Sequence, residues 1–169
     1  LSYFRNKNLA TKIKSGTYDL VTEVDKTCED LLLHKITTAY PDHSIIGEES
    51  GAHDKNSEFC WVVDPLDGTT NYSQGLPVYC VSIGVQHRGE TVVGVVFVPY
   101  LNELYTAIKG QGAFLNGKPI QVSGKQKLSD CVLATGFPYD KDINPDNNLN
   151  NVNRLLPQIR GLRRMGSAA

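Results

Sequence analysis

The first clear periodicity along the chain is helical. Apolar residues recur at three- and four-residue spacing from Val24 to Ala39, and Pro41 ends the pattern. Thr22 and Asp25 have the Thr-x-x-Asp spacing of a capping box, which places the start of a helix near Thr22. The pattern therefore predicts one amphipathic helix in this segment.

Short apolar runs after this helix predict strands. The expected strands cover residues 44–48, 59–64, 78–86, 91–98 and 104–108. The first two end in carboxylates, and the later ones are separated by turns at Arg88-Gly89 and near Asn102. Asn116-Gly117 predicts a further hairpin. Most of the chain up to about residue 128 is therefore expected to form antiparallel sheet.

The pattern changes after Ser129. A strand-like run at 131–135, a polar loop from Asp140 that leads into a short helix, and a run at 162–165 indicate a strand-helix-strand unit. We expect a helix-plus-antiparallel-sheet domain over residues 1–128, which carries any metal site. Residues 129–169 would be the truncated start of a C-terminal α/β domain. The predicted fold class is mixed, α+β with α/β character.

Composition narrows the class of protein. The 169 residues are 40% apolar and 21% charged, which is typical of globular chains, and the longest apolar runs are far too short to cross a membrane. No signal peptide is evident, so a cytoplasmic location is the default expectation. The four cysteines lack metal-ligand spacing and are expected to be buried free thiols.

Charge is unevenly distributed along the chain. Residues 15–146 hold 9 basic and 18 acidic side chains. The terminal segments, residues 1–14 and 147–169, contain basic residues but no acidic ones. An acidic middle favours a cation site over a nucleic-acid groove, although ordinary surface charge is an alternative explanation.

Two acidic clusters carry the strongest chemical signal. Glu48 follows the first predicted strand in GEESG, and Asp64 and Asp67 follow the second in DPLDGTTN. Asp-Pro and Asp-Gly are also turn formers, and Glu-Glu-Ser can be an exposed strand end, so each cluster alone has a structural explanation. Together, carboxylates beside a buried strand are costly unless a cation compensates, and hard oxygen ligands favour Mg²⁺. Gly68, Thr69 and Thr70 offer backbone N–H groups and hydroxyls to a phosphate.

These strings resemble the inositol monophosphatase family of Mg²⁺-dependent, lithium-sensitive phosphatases. The resemblance is carried by GEESG, WVVDPLDGTTNYSQGLPVYCVSIGV, GAFLNGKPIQVS and KSGTYDLVTEVD, and it covers almost the whole chain. It implies a layered αβαβα fold, a homodimer and two or three Mg²⁺ ions. The implied reaction is hydrolysis of a phosphate monoester by direct attack of water, without a phosphoenzyme.

The resemblance also implies roles for individual residues. Glu48, Asp64 and the Leu66 carbonyl would bind the first Mg²⁺, and Asp64 and Asp67 the second. Thr69, with Glu48 and more remotely Asp25, would activate the attacking water. For Asp25, a helix-capping role remains an equal alternative.

Substrate contacts follow from the same resemblance. They are assigned to the Gly68 and Thr69 amides, to Leu66 and Asp67, and to the segment Gly166, Ser167 and Ala168. Lys14 matches a family lysine, but a solvated lysine is an alternative.

The family's Trp-Asp motif, which supplies a further aspartate to the second metal, does not occur in this chain. We therefore expect these residues to be an incomplete view of a longer protein. Two other patterns are not expected to be functional. Residues 112–118 imitate a P-loop but are predicted to form a hairpin, and the four histidines show no ligand spacing.

Several functions remain open. The first is hydrolysis of inositol monophosphate or a related sugar phosphate, and the second is the activity of a family relative on fructose-1,6-bisphosphate, histidinol phosphate or a nucleotide phosphate. A third possibility, of a different class, is a non-catalytic protein- or RNA-binding role of the same fold. Only the four arginines after residue 153 favour this third possibility. A nucleic-acid partner is not expected.

Overall fold

The computed structural model describes residues 4–5, 11–13 and 20–169, with only the backbone described at 11–13 and 20–22. Its α-helices are α1 (Glu23–Ala39), α2 (Thr69–Ser73) and α3 (Leu149–Leu155). Its strands are β1 (Thr11–Ile13), β2 (Leu20–Thr22), β3 (Ser44–Gly47), β4 (Gly51–His53), β5 (Phe59–Asp67), β6 (Cys80–His87), β7 (Glu90–Val98), β8 (Glu103–Ile108), β9 (Gly112–Leu115), β10 (Lys118–Ile120), β11 (Val132–Ala134) and β12 (Gly161–Arg163). Lys14 lies outside the described residues.

Eight of the described strands form one large sheet. Their order is β10-β9-β8-β7-β6-β5-β3-β4. Every neighbouring pair is antiparallel except β3 and β5, which run parallel. The predicted mixed α+β class is thereby confirmed, and the parallel pair is the feature that positions the candidate site.

Helix α1 covers one face of this sheet. Ile36 packs with Ile45 and Val63, which are both only 2% exposed. The apolar periodicity nevertheless gives an incomplete description of the buried face. Leu31 is 55% exposed, whereas Asp25 and Glu29, one turn apart, are buried. The helix therefore turns two carboxylates inward.

Two details of the strands differ from the sequence prediction. Strand β5 does not end at Asp64 but continues to Asp67. It does so because its pairing with β6 resumes after an irregularity between those two residues. The short strand β4 was not predicted; it pairs with β3 across a tight turn, with Gly51 opposite Gly47.

The predicted turns are confirmed. Arg88 and Gly89 both have positive φ between β6 and β7, and Asn116 and Gly117 have φ of 48° and 76° between β9 and β10. Positive φ at both central residues is the geometry of a tight hairpin turn. The segment that imitates a P-loop is therefore a hairpin.

Strands β11 and β12 form a separate parallel pair, and α3 lies between them in sequence. This arrangement confirms the predicted strand-helix-strand connectivity. The division into domains at residues 128 and 129 stays a prediction.

All four cysteines are free thiols, as predicted, but only Cys80 is buried. The expectation that all four are buried is therefore wrong for Cys28, Cys60 and Cys131. Within the described ranges, no helix has the length and apolarity that crossing a bilayer requires.

Candidate metal and phosphate site

The parallel pairing of β3 and β5 brings the two acidic clusters together. Gly47 lies opposite Val63 in the register, so Glu48, just after β3, and Asp64, within β5, are neighbours at the same end of the two strands. The Glu48 N–H donates to the Val63 carbonyl at 3.1 Å. This hydrogen bond extends the pairing to the residue that carries the carboxylate.

A third carboxylate, that of Asp67, follows the irregularity in β5. Pro65 and Leu66 are buried, and the Leu66 N–H donates to Asp64 Oδ1 at 3.1 Å. This local hydrogen bond fixes one oxygen of Asp64. Glu48, Asp64 and Asp67 all line one cavity of about 100 Å³. The sequence prediction that strand ends bring these three residues together is consistent with this geometry.

Asp64 is the electrostatic centre of the cavity. Burial, together with the negative charges of the neighbouring Glu48 and Asp67, raises the pKa of its carboxyl to about 7. A hydrogen bond between the Glu48 and Asp64 carboxyl groups favours the protonated form as well. The site therefore holds more negative charge than its own donors compensate, which is a property of cation sites.

Thr69 and Asp25 form a hydrogen-bonded pair beside this cavity. The Thr69 hydroxyl donates to Asp25 Oδ1 at 2.8 Å and lies 3.1 Å from the Leu66 carbonyl oxygen. Asp25 has no exposed surface, and it meets Thr69 across 44 residues of sequence. The structure thus brings Asp25 to the candidate site from the first turn of α1, the turn in which a helix cap acts.

Gly68 is required here by backbone geometry. It has a φ of +93°, and a Cβ at this position would lie 2.9 Å from the Val78 carbonyl oxygen. A side chain is excluded on both grounds. This steric reason is separate from the access to a phosphate that the sequence suggested.

The segment Gly166 to Ala169 also reaches the site. Asp67 Oδ2 accepts hydrogen bonds from the Ser167 hydroxyl at 2.8 Å and from the Ala168 and Ala169 amides at 2.6 Å each. Gly166 lines the cavity with Asp67. The three substrate-contacting residues that the resemblance implied are thus adjacent to the acidic clusters.

A second cavity of about 410 Å³ adjoins the first. It also contains Asp67, and the two share Tyr139, Arg164 and Gly166. Tyr139 and Arg164 were not selected from the sequence. The consecutive arginines Arg163 and Arg164, which only Met165 separates from Gly-Ser-Ala, are the sequence pattern that indicates a positive charge at this position.

The donor chemistry of the first cavity fits a hard cation. Its wall offers carboxylate oxygens from Glu48, Asp64 and Asp67 and the carbonyl of Leu66, and oxygen ligands are those that Mg²⁺ prefers. In the part of the chain that the structure describes, no three His, Cys, Asp or Glu side chains form a ready-made metal-ligand group. Asp67 Oδ2 accepts three hydrogen bonds from the fold in this arrangement.

The sequence model of the inositol monophosphatase family matches residues 1–169. The chain belongs to the inositol monophosphatase family. The Nus factor SuhB of Pasteurella multocida is 46% identical over 168 residues, which are 99% of this chain and 62% of that protein.

Solved structures of family members are also similar to this chain. An inositol monophosphatase from Anabaena is 44% identical with a TM-score of 0.82, and the match covers 85% of this chain and 57% of that one. An IMPase/NADP phosphatase complexed with Mg²⁺ and phosphate is 27% identical with a TM-score of 0.79, covering 95% and 59%. This inositol monophosphatase-family chain therefore spans about three fifths of the length of these relatives.

Proposed function

We propose that this chain carries the metal and phosphate site of a Mg²⁺-dependent phosphomonoesterase that hydrolyses inositol monophosphate or a related sugar phosphate. The observation that carries the proposal is the convergence of Glu48, Asp64 and Asp67 on one small cavity. Membership of the family supports the reaction class, and the relative complexed with Mg²⁺ and phosphate supports the ion.

Bound Mg²⁺, of which the resemblance implies two or three ions, would neutralise phosphate charge and lower the pKa of water. Glu48, Asp64 and the Leu66 carbonyl would hold the first ion. Asp64 and Asp67 would hold the second. Their carboxylates would then no longer repel one another unscreened, and Asp64 would bind as the ionised carboxylate.

Thr69 would orient the attacking water. Because its hydroxyl hydrogen is directed to the buried Asp25, the oxygen lone pairs remain available to accept a hydrogen bond from water in the cavity. Glu48, which follows the neighbouring parallel strand β3 at the same end of the sheet, would supply a carboxylate toward which the water proton can move. The Gly68 and Thr69 amides would contact the phosphate.

The leaving alcohol would lie toward the larger cavity. That cavity continues from Asp67 along Gly166, Ser167 and Ala168, whose backbone and hydroxyl groups suit a polyhydroxylated substrate. Arg164 adds a positive charge at the boundary between the two cavities. The proposed substrate is therefore a small phosphorylated polyol.

Phosphate release from inositol 1-phosphate by the full-length protein tests the proposal. Turnover should require Mg²⁺, and Asp64→Asn should reduce kcat by about 10³-fold or more. Asp30→Asn is the matched control, because Asp30 is exposed on α1. Turnover that is independent of Mg²⁺, or unaffected by Asp64→Asn, would contradict the proposal.

The choice of ester is a separate question. Fructose-1,6-bisphosphate, histidinol phosphate and NADP are the competing substrates; the family resemblance implies the first two, and one solved relative is an IMPase/NADP phosphatase. Comparing kcat/KM for these esters and inositol 1-phosphate at one Mg²⁺ concentration would rank them. We expect inositol 1-phosphate to rank first, and a higher value for a nucleotide phosphate would replace it.

A binding role of the same fold is the second candidate function. It is favoured by the 46% identical relative, which is named as a Nus factor rather than as a phosphatase. Salt-sensitive binding of RNA or protein that persists in Asp64→Asn would support this role, since that variant lacks the proposed metal ligand. Loss of that binding in Asp64→Asn would contradict it.

Three further properties belong to the same proposal: inhibition by lithium, a homodimeric state and a cytoplasmic location. Family membership supports the first two. Inhibition of turnover by Li⁺ at saturating Mg²⁺, and the molar mass in solution from light scattering, would test them. Fractionation of cells would test the location.

A further inference from the structure

A second carboxylate of helix α1 is as deeply buried as Asp25. Glu29 is 2% exposed and lies one helical turn after Asp25, so both side chains leave the same face of the helix. A buried carboxylate is costly unless it accepts strong hydrogen bonds. Its partners therefore indicate what it holds in place.

Both partners of Glu29 are backbone amides of the turn that contains Glu48. Glu29 Oε2 accepts from the Glu49 N–H at 2.8 Å, and Oε1 accepts from the Ser50 N–H at 2.7 Å. Hydrogen bonds to an ionised acceptor are stronger than those between neutral groups. The carboxylate thus binds the turn between β3 and β4 at two successive residues.

Gly47, the residue before this turn, packs closely against the same carboxylate. A Cβ on Gly47 would lie 2.8 Å from both Cδ and Oε1 of Glu29 and 2.7 Å from Ser50 Oγ. Space at Gly47 is therefore occupied by the bound carboxylate and leaves no room for a methyl group. The contact between helix and turn is close on both sides of Glu48.

Glu48 is consequently held by two independent attachments. Its own N–H donates to the Val63 carbonyl, directly before Asp64, and the next two amides donate to Glu29. We propose that Glu29 is a positioning residue that holds Glu48 beside Asp64 on the wall of the cavity, where both carboxylates can take part in cation binding. This inference rests on the proposed function, because it takes Glu48 and Asp64 as ligands.

The two inward carboxylates of α1 then have parallel tasks. Asp25 holds the Thr69 hydroxyl after β5, and Glu29 holds the turn after β3. Since i and i+4 positions on a helix have a fixed spacing, α1 sets the relative positions of the two acidic loops. Groups that support metal ligands in this way alter metal affinity when they are changed.

The test compares Glu29→Gln with Asp30→Asn in the full-length protein. Both variants remove one acidic charge from neighbouring positions of α1, but only Glu29 is buried. In Glu29→Gln one of the two amides loses its acceptor. We expect the Mg²⁺ dissociation constant from calorimetry to rise about tenfold, with kcat at saturating Mg²⁺ reduced less than about threefold. Asp30→Asn should change neither.

A third readout needs neither metal nor substrate. In the metal-free protein, amide hydrogen exchange should be about tenfold faster in Glu29→Gln at whichever of Glu49 and Ser50 loses its acceptor, and unchanged at both in Asp30→Asn. If Glu29→Gln does not fold, Gly47→Ala is the second test. Its methyl group displaces the Glu29 carboxylate while Glu29 stays intact, so we expect the same rise in the Mg²⁺ dissociation constant and the same faster exchange.

Wild-type Mg²⁺ affinity in a folded Glu29→Gln variant would overturn the inference, as would unchanged exchange at Glu49 and Ser50. Failure of the proposed function has a different signature. In that case the wild-type protein itself neither binds Mg²⁺ nor releases phosphate, whatever the exchange rates show.

Discussion

Two groups of carboxylates occur around the candidate site, and their surroundings are opposite in character. Asp25 and Glu29 are fully enclosed, and each accepts hydrogen bonds from donors that the fold supplies. Asp64 is less enclosed, yet its pKa is raised to about 7, because burial is combined with the charges of Glu48 and Asp67. The extent to which a carboxylate is buried therefore does not by itself decide how strongly its ionised form is disfavoured.

The difference is the sign of the nearest partners. The enclosed pair faces a hydroxyl and two amides, so ionisation is matched by donors. Asp64 faces two other carboxylates and accepts from the Leu66 amide, and the net effect of these neighbours and of burial disfavours its ionised form until a cation binds. The hydrogen bonds of Asp25 and Glu29 therefore stabilise the folded state. The carboxylates of the cavity destabilise the metal-free folded state, but they form a site that a cation can bind. The predictions below test this distinction.

The largest expected effect separates the two groups directly. Asp64→Asn should reduce kcat by about 10³-fold or more and yet raise the Tm of the metal-free protein by a few degrees, since it removes a repelled charge. Asp25→Asn should also reduce kcat but lower the Tm, since it weakens the acceptor of Thr69. Calorimetric melting in the presence of a chelator gives the Tm values. A destabilised Asp64→Asn variant would break the distinction.

The next effect concerns the hydroxyl that Asp25 holds. Thr69→Val keeps the shape of the side chain and removes the hydrogen bond to Asp25, so kcat should fall by about a hundredfold with a smaller change in KM. Thr69→Ser keeps the hydroxyl and should recover most of the activity. Steady-state kinetics at saturating Mg²⁺ make the comparison. Equal losses in both variants would indicate that packing, and not the hydroxyl, is what matters.

The pH dependence of stability should reveal the cavity group. Because the folded pKa of Asp64 is about 7 and its ordinary value is 3.8, the folded state binds the additional proton between these values. The metal-free protein should therefore lose stability as pH rises from about 4 through about 7, lowering the Tm by roughly 3–6 °C relative to Asp64→Asn. Saturating Mg²⁺ should remove this difference. A difference that grows toward low pH would contradict the assignment.

Much of this site was accessible from the sequence. The two acidic clusters and the strands before them predicted the cavity residues because hydrophobic runs and turn residues are local signals. The parallel pairing of β3 with β5 then brings Glu48 and Asp64 together, and the expectation required only that both strands end at one edge.

Other features depend on contacts that no local pattern contains. Glu29 was missed because its partners are backbone amides twenty residues away, and any sequence has amides. The extension of β5 to Asp67 depends on its pairing with β6 after the irregularity. The close approach of Gly68 to Val78 is likewise a tertiary contact, although the glycine itself was visible.

The smallest effect is expected for an exposed carboxylate. It extends the comparison from the buried and the partly buried carboxylates to one on the surface. Glu58 accepts two hydrogen bonds from the Arg88 guanidinium, and this lowers the pKa of Glu58. Its stabilisation is present above the ordinary value of 4.5 and is lost as pH falls through the lower folded value. Both side chains are more than half exposed, so water and salt screen the pair.

Glu58→Gln should consequently change the Tm at pH 7 by less than about 1 °C, and the change should vanish in high salt. Melting at low and high ionic strength, with the same measurement at pH 3 as the internal reference, checks this. A loss as large as that in Asp25→Asn would show that hydrogen bonding to a carboxylate stabilises this fold regardless of burial. The contrast between the enclosed and the cavity carboxylates would then have to rest on charge repulsion alone.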